Sequence, residues 1–390
     1  MPFFGRDRTL FRLFGLPIKA NVSWLFLVAL IMFSLAESWF PDRFRSAGVQ
    51  AGQGLYWALA VVGTFGLFAS LIVHEMCHSL VARSTGMPVS GITLFIFGGV
   101  SQLEDEPPTA ASEFVMAVVG PLSSLLIGVA MWGLHWVGKG QHWGVGTQAL
   151  VSYLAFINLI LAAFNSLPAF PLDGGRVLRS IVWGISGDLH VATQVAVSIG
   201  SMIGFGLMFV GLGLMFFTQG FLGGLWLLVI GFFVRQAAQS NLQMVQMREY
   251  LQGETVRRFM TTDVVTVPRD LNLQRFVDDL VFHHRFDYYP VVDEQGLLLG
   301  VASARAPRQV GPHEWGVTSV GRVMKPIDES MTIGPDDDAV DALGALRRQE
   351  ESHLVVVENG RPIGIVSLRD LLGFLALKID LEPRQRTFRG

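Results

Sequence analysis

From residue 20 to residue 238 the chain is mostly apolar, and this run restricts the fold more than any other feature. A backbone in hydrocarbon must satisfy its own hydrogen bonds, and a helix needs about 20 apolar residues to cross. Six stretches are long enough: roughly 22–40, 55–83, 113–136, 148–168, 192–217 and 220–238. The fourth is interrupted by Asn165, Pro168 and Pro171, and the last two form a hairpin around Thr218-Gln219-Gly220. Only 16% of residues are charged, against about 25% in soluble domains. The expected fold is therefore a six-span α-helical membrane protein in its N-terminal part. A net charge of −3 gives no electrostatic footprint for nucleic acid. The single cysteine, Cys77, excludes an intrachain disulfide. The basic N-terminal arm (Arg6, Arg8, Arg12, Lys19) leads into an apolar stretch without a small-residue cleavage site, so no signal peptide is expected.

Residues 250–390 read as a soluble α/β region with an internal repeat at an offset of 64 positions. Phe259-Met260-Thr261-Thr262, Val264–Pro268, Tyr289–Asp293 and Leu299–Ser303 recur as Val323–Pro326, Met331–Pro335, His353–Val357 and Ile363–Ser367. Each copy holds a helical stretch (Asn272–His283; Ala339–Arg348) followed by two short apolar strands. The boundary is placed between 248 and 249, with repeats at about 255–310 and 319–378.

Positive residues set the orientation of the spans. The N-terminal arm, Arg83, Arg176, Arg179, Arg235 and Arg248 fall on one side, and Arg43, Arg45 and Lys139 on the other. The first side is read as cytosolic, which with six spans puts both termini in the cytosol. Residues 87–103 are β-branched and aromatic, bounded by Pro88 and Gly98-Gly99, and too short to span as a helix. They predict a small β-hairpin at membrane depth beside the second span; an ordinary cytosolic hairpin is the plainer alternative.

Inside the second stretch stands His74-Glu75-Met76-Cys77-His78, an H-E-x-x-H pattern. Residues four apart share a helix face, so both imidazoles can point at one metal ion. Glu75, one step round, is placed to deprotonate a metal-bound water. Two imidazoles and a carboxylate in hydrocarbon are costly and mark a functional site. Catalytic zinc takes three protein ligands and keeps one position open. Asp173 is the leading third candidate: in Asn165–Arg176 prolines break a helix and two glycines restart it, which lets a short carboxylate turn inward. Capping of the next helix is the other reading of Asp173. Asn165 on its own reads as satisfying backbone freed by Pro168. Cys77 lies off the ligand stripe.

H-E-x-x-H in an apolar helix, with a distant N-x-x-P-x-x-P-L-D-G-G, resembles the site-2 protease family of intramembrane zinc metalloproteases. The repeat resembles a tandem CBS pair, and together they resemble the CBS-bearing bacterial and archaeal branch, which includes sporulation factor proteases. The resemblance implies one Zn2+ per chain held by His74, His78 and Asp173, with Glu75 and Asn165 catalytic and Asn165 in contact with the substrate or the oxyanion. It implies a transmembrane protein substrate, cut by a zinc-bound water that Glu75 activates, in a prokaryotic cell membrane. A substrate helix must unwind before cleavage, and the sheet edge around Phe97, Gly98 and Gly99 is the expected place for it to pair. Those glycines are alternatively turn residues only. CBS modules resemble one another in binding ATP or AMP through G-x-x-[ST]-x-x-D. The second copy keeps this pattern with Ser367 and Asp370, whereas the first has Ala306 in place of the aspartate. The tail is thus expected to tune activity, by nucleotide or as a homodimerisation platform. Two other classes compete: a CBS-regulated ion transporter, disfavoured because the spans show no inverted repeat, and a catalytically idle metal-binding protein, disfavoured by the intact Glu75.

Overall fold

The computed structural model describes residues 8–95, 98–103, 107–217, 221–348 and 353–381. The chain divides into two compact units, Met1–Val245 and Gln246–Gly390.

In the first unit five helical segments are long and apolar enough to cross a membrane: Val22–Ser46, Gln53–Ser84, Ala110–Gly140, Val145–Asn165 and Leu189–Phe217. The first is α1 (Val22–Ser34), a π-turn (Leu35–Trp39) and α2 (Phe40–Ser46) run together. The others are α3 (Gln53–Ser84), α4 (Ala110–Gly140), α5 (Val145–Asn165) and α7 (Leu189–Phe217). A shorter helix, α6 (Asp173–Ser186), follows the proline-rich break. Five of the six expected spans are thus found among the described residues. The sixth stretch begins α8 (Phe221–Leu251), where the apolar run passes into the polar segment Gln236–Gln246 without a break in the helix.

Residues 87–103 form the expected hairpin, β3 (Val89–Phe95) and β4 (Gly98–Leu103), paired antiparallel. Sequence reading gave only half of this sheet. The basic N-terminal arm supplies β1 (Arg8–Leu13) and β2 (Leu16–Ala20), and the sheet order is β1-β2-β3-β4. Leu16, Ile18 and Ala20 alternate in β2 and are buried, and they pack with Ile92 and Leu94 against Phe68 and Leu71 of α3. That period-2 pattern behind the Gly15 turn was a legible strand signal. β4 is left as an edge strand next to α3.

At the other end of the spans, Arg43 lies over the Trp39 ring at 4.7 Å and Lys139 over Trp136 at 5.0 Å. Tryptophan paired with a cation is typical of a membrane–water interface.

In the second unit the two repeats build one small sheet each. The strands Tyr288–Val292 and Leu298–Ser303 pair antiparallel, as do His353–Glu358 and Arg361–Ser367. Residues 273–284 and Ala339–Arg348 are helical, as the repeat predicted. Val267, Leu273, Phe276, Tyr289 and Val291 are buried together in the first repeat's core.

Candidate metal centre

On α3 the residues Ser70, His74, His78 and Ala82 recur every fourth position and are all buried, so a single stripe faces the other helices. His74 and His78 are only 2% and 4% exposed. Asp173 reaches them from the first position of α6. Its Oδ2 lies 3.1 Å from His74 Nε2 and 3.2 Å from His78 Nε2, and the two Nε2 atoms are 3.2 Å apart. Asp173 does not cap α6: the cap position is Leu172, without a side-chain bond. The helix also restarts at Asp173 itself and not after the two glycines, which lie in its first turn.

The outer nitrogens fix the rings. His78 Nδ1–H donates to the Met116 carbonyl at 2.6 Å. A carbonyl only accepts, so Nδ1 holds a proton and Nε2 is the ring nitrogen that faces the cluster. His74 Nδ1 is 2.9 Å from the buried Ser124 hydroxyl, which anchors the second ring. Two imidazole nitrogens and a carboxylate oxygen converge within about 3 Å, an arrangement suited to a cation between them. Two imidazole nitrogens and one carboxylate oxygen are a common catalytic zinc set. A tetrahedral zinc with ligands at about 2.0–2.1 Å has donor–donor edges near 3.3 Å, close to the spacing seen here. Among the described residues this is the one cluster of metal-ligating groups.

Glu75 is buried beside the cluster on the face of α3 that meets β4. A Cβ on Gly99 would stand 2.9 Å from Glu75 Cγ, so the absence of a side chain lets the β4 backbone reach the carboxylate. Gly98 next to it takes a positive φ of 128°. Phe97 lies outside the described residues. Asn165 is the last residue of α5, and its amide donates to the Leu161 carbonyl of its own helix at 3.1 Å. Cys77 is partly exposed and belongs to no ligand group.

Sequence reading placed a span at 113–136 but missed the part that this helix, α4, plays at the site. Glu113, Met116, Gly120 and Ser124 are buried and spaced 3, 4 and 4 apart, so they form one stripe. A Cβ on Gly120 would stand 2.8 Å from His74 Nε2 and nearer still to His78 Nε2. Glu113 is fully buried and accepts from Arg179 through Nε at 2.8 Å and through a second guanidinium nitrogen, while Arg176 Nε lies 3.6 Å away. Arg176 and Arg179 are thus partners of a buried carboxylate, not free loop charges, which weakens their use as orientation markers. An acidic residue within a predicted span was the available signal.

In the second unit a cleft of ≈ 370 Å3 is lined by Thr261, Asp263, Tyr288, Ser367 and Asp370 among others. Ser367 Oγ–H donates to Asp370 Oδ2 at 2.6 Å, and the Ser367 amide donates to the same oxygen at 2.9 Å. The pair therefore already caps the helix Leu368–Leu381.

The family model for peptidase family M50 matches residues 62–139 and 132–211, and that for the CBS domain matches 256–306 and 320–377. The protein sll0528 of Synechocystis sp. is 32% identical over 367 residues, which cover 92% of this chain and 93% of that protein. The zinc metalloprotease MJ0392 of Methanocaldococcus jannaschii is 28% identical over 381 residues, 96% of this chain and 98% of that one. Both carry zinc metalloprotease in their names. Among solved structures, a site-2 protease from Methanocaldococcus jannaschii aligns over 60% of this chain and 94% of its own, at 26% identity and a TM-score of 0.43.

Proposed function

We propose a site assignment and a mechanism for a chain that belongs to peptidase family M50, the site-2 zinc metalloproteases. The assignment rests on one observation: three donors on two helices converge within 3.2 Å of one another, with His78 Nδ1 tied to a carbonyl. His74, His78 and Asp173 would hold the zinc, with Nε2, Nε2 and Oδ2 the atoms that face one another. When bound, the ion acidifies a water and offers positive charge to a developing oxyanion.

The remaining steps belong to the chain's own groups. Glu75 accepts the proton of the attacking water on its carboxylate and returns it to the leaving amine nitrogen. Its burial keeps competing solvent away from that proton. The substrate is a membrane protein, cut in or near a transmembrane segment. Its unwound stretch adds to the β4 edge at Gly98 and Gly99, where main-chain bonds replace those lost from the helix. The close approach of Gly99 to Glu75 brings that edge to the base. Asn165 serves the oxyanion by exchanging the Leu161 carbonyl for the substrate oxygen.

The test is co-expression with single-span membrane proteins, followed by mass mapping of products and zinc analysis. Wild type should cleave, and Glu75→Gln should keep its zinc while losing about 100-fold or more in rate, because an amide accepts no proton. A Glu75→Gln variant that cuts at the wild-type rate removes Glu75 as the base.

A second reading concerns the tail. The cleft beside Ser367 and Asp370 is the place where ATP or AMP would bind, and its occupancy would tune the protease.

A further inference from the structure

All three proposed donors are referenced to a single helix. Along α4, the Met116 carbonyl and Ser124 hydroxyl hold the two imidazoles, and Gly120 leaves the space between them. The same stripe ends in Glu113, which is 0% exposed and takes both hydrogen bonds from Arg179 on its Oε1. Arg179 and Arg176 sit six and three residues after Asp173, on the helix that Asp173 begins. A carboxylate buried in a span is costly unless it is paired, and here its partners both come from α6. Arg179 is held further by the Phe170 ring, 5.2 Å from its guanidinium carbon.

We propose that Glu113 is a positioning residue of the metal centre: by gripping Arg179 and Arg176 it fixes the rotation and depth of α6 against α4, and so sets where Asp173 Oδ2 meets the two imidazoles. The inference rests on Asp173 being a zinc ligand, as proposed above. Glu113 bonds to Arg179 and Arg176 and is no part of the donor cluster. It acts only through the helix that carries Asp173. The histidines do not depend on it, because Met116 and Ser124 orient them separately.

Zinc affinity of the purified full chain, read by competition with a chromophoric chelator, tests this in four proteins: wild type, Glu113→Gln, Asp173→Ala and the double variant. The expected result is a loss of about 10- to 100-fold in Glu113→Gln, typical of removing support for a ligand. No further loss is expected when Glu113→Gln is added to Asp173→Ala, since the residue then has no donor left to place. An equal drop in both backgrounds would mean general loosening and would overturn the proposal. So would wild-type affinity in Glu113→Gln. Unchanged affinity in Asp173→Ala would instead strike the site assignment itself. Should Glu113→Gln fail to accumulate, Glu113→Asp keeps the charge but shortens the grip, and the same four-way comparison applies. Reversing the pair, Glu113→Arg with Arg179→Glu, should recover part of the lost affinity, which an unrelated packing defect would not.

Discussion

At the level of single residues, the centre is defined by what is absent as much as by what ligates. Gly120 has no side chain where the His74 and His78 rings meet. Gly120→Ala should push the rings apart and lower both zinc occupancy and cleavage, by about 100-fold for a displacement near 1 Å. Metal analysis beside product quantification checks it, and a fully loaded, active Gly120→Ala chain would contradict the packing argument. Gly99→Ala acts on the other side: its Cβ would press on Glu75, so zinc should stay while the rate falls. His74, Glu75, His78 and Asp173 were readable from sequence because their spacing and their cost in hydrocarbon leave few other uses. Gly120, Met116 and Ser124 were not, since their roles rest on absent atoms, a backbone carbonyl and a common hydroxyl.

At the level of elements, the turn from α5 to α6 carries the third donor. Cβ atoms on Gly174 and Gly175 would run into the backbone of Ser166, Leu167, Ala169 and Phe170, so the first turn of α6 lies directly on the Pro168–Leu172 connection. Gly175→Ala should lift that turn and draw Asp173 away from the histidines. We expect weaker zinc binding with helix content unchanged, measured by chelator competition beside circular dichroism. The proline-rich break was legible because Pro168 and Pro171 forbid a continuous helix. The four-stranded sheet was legible only by half. β1 pairs with β2 locally, but β2 joins β3 in parallel across the whole length of α1–α3, and no short-range pattern reports such a contact. The sixth stretch continues into a polar helix, so its end was not legible from the apolar run alone, and both belong to one element, α8.

For the whole molecule, every proposed catalytic group lies in the unit Met1–Val245. A chain shortened to residues 1–246 should therefore bind zinc and retain cleavage, assayed on the same membrane substrate. If the tail senses nucleotide, Asp370→Ala should weaken ATP or AMP by ~1.5–3 kcal/mol, the scale of a lost hydrogen bond to a charged group. Calorimetry on residues 250–390 reads this directly, and no binding at millimolar nucleotide would leave the tail as a docking platform. The length of α4 has a consequence of a different kind. Its 31 residues extend about 46 Å, against a hydrocarbon layer of about 30 Å, so it must tilt or protrude. Bilayers of different thickness will set that tilt differently. Because the supports of all three donors ride on α4, they travel together, and the ion's surroundings change little as the helix leans. A substrate span answers to thickness on its own terms. Acyl-chain length should thus leave zinc affinity constant while it slides the scission point along the substrate by a residue or two, which product masses from vesicles of graded chain length will record.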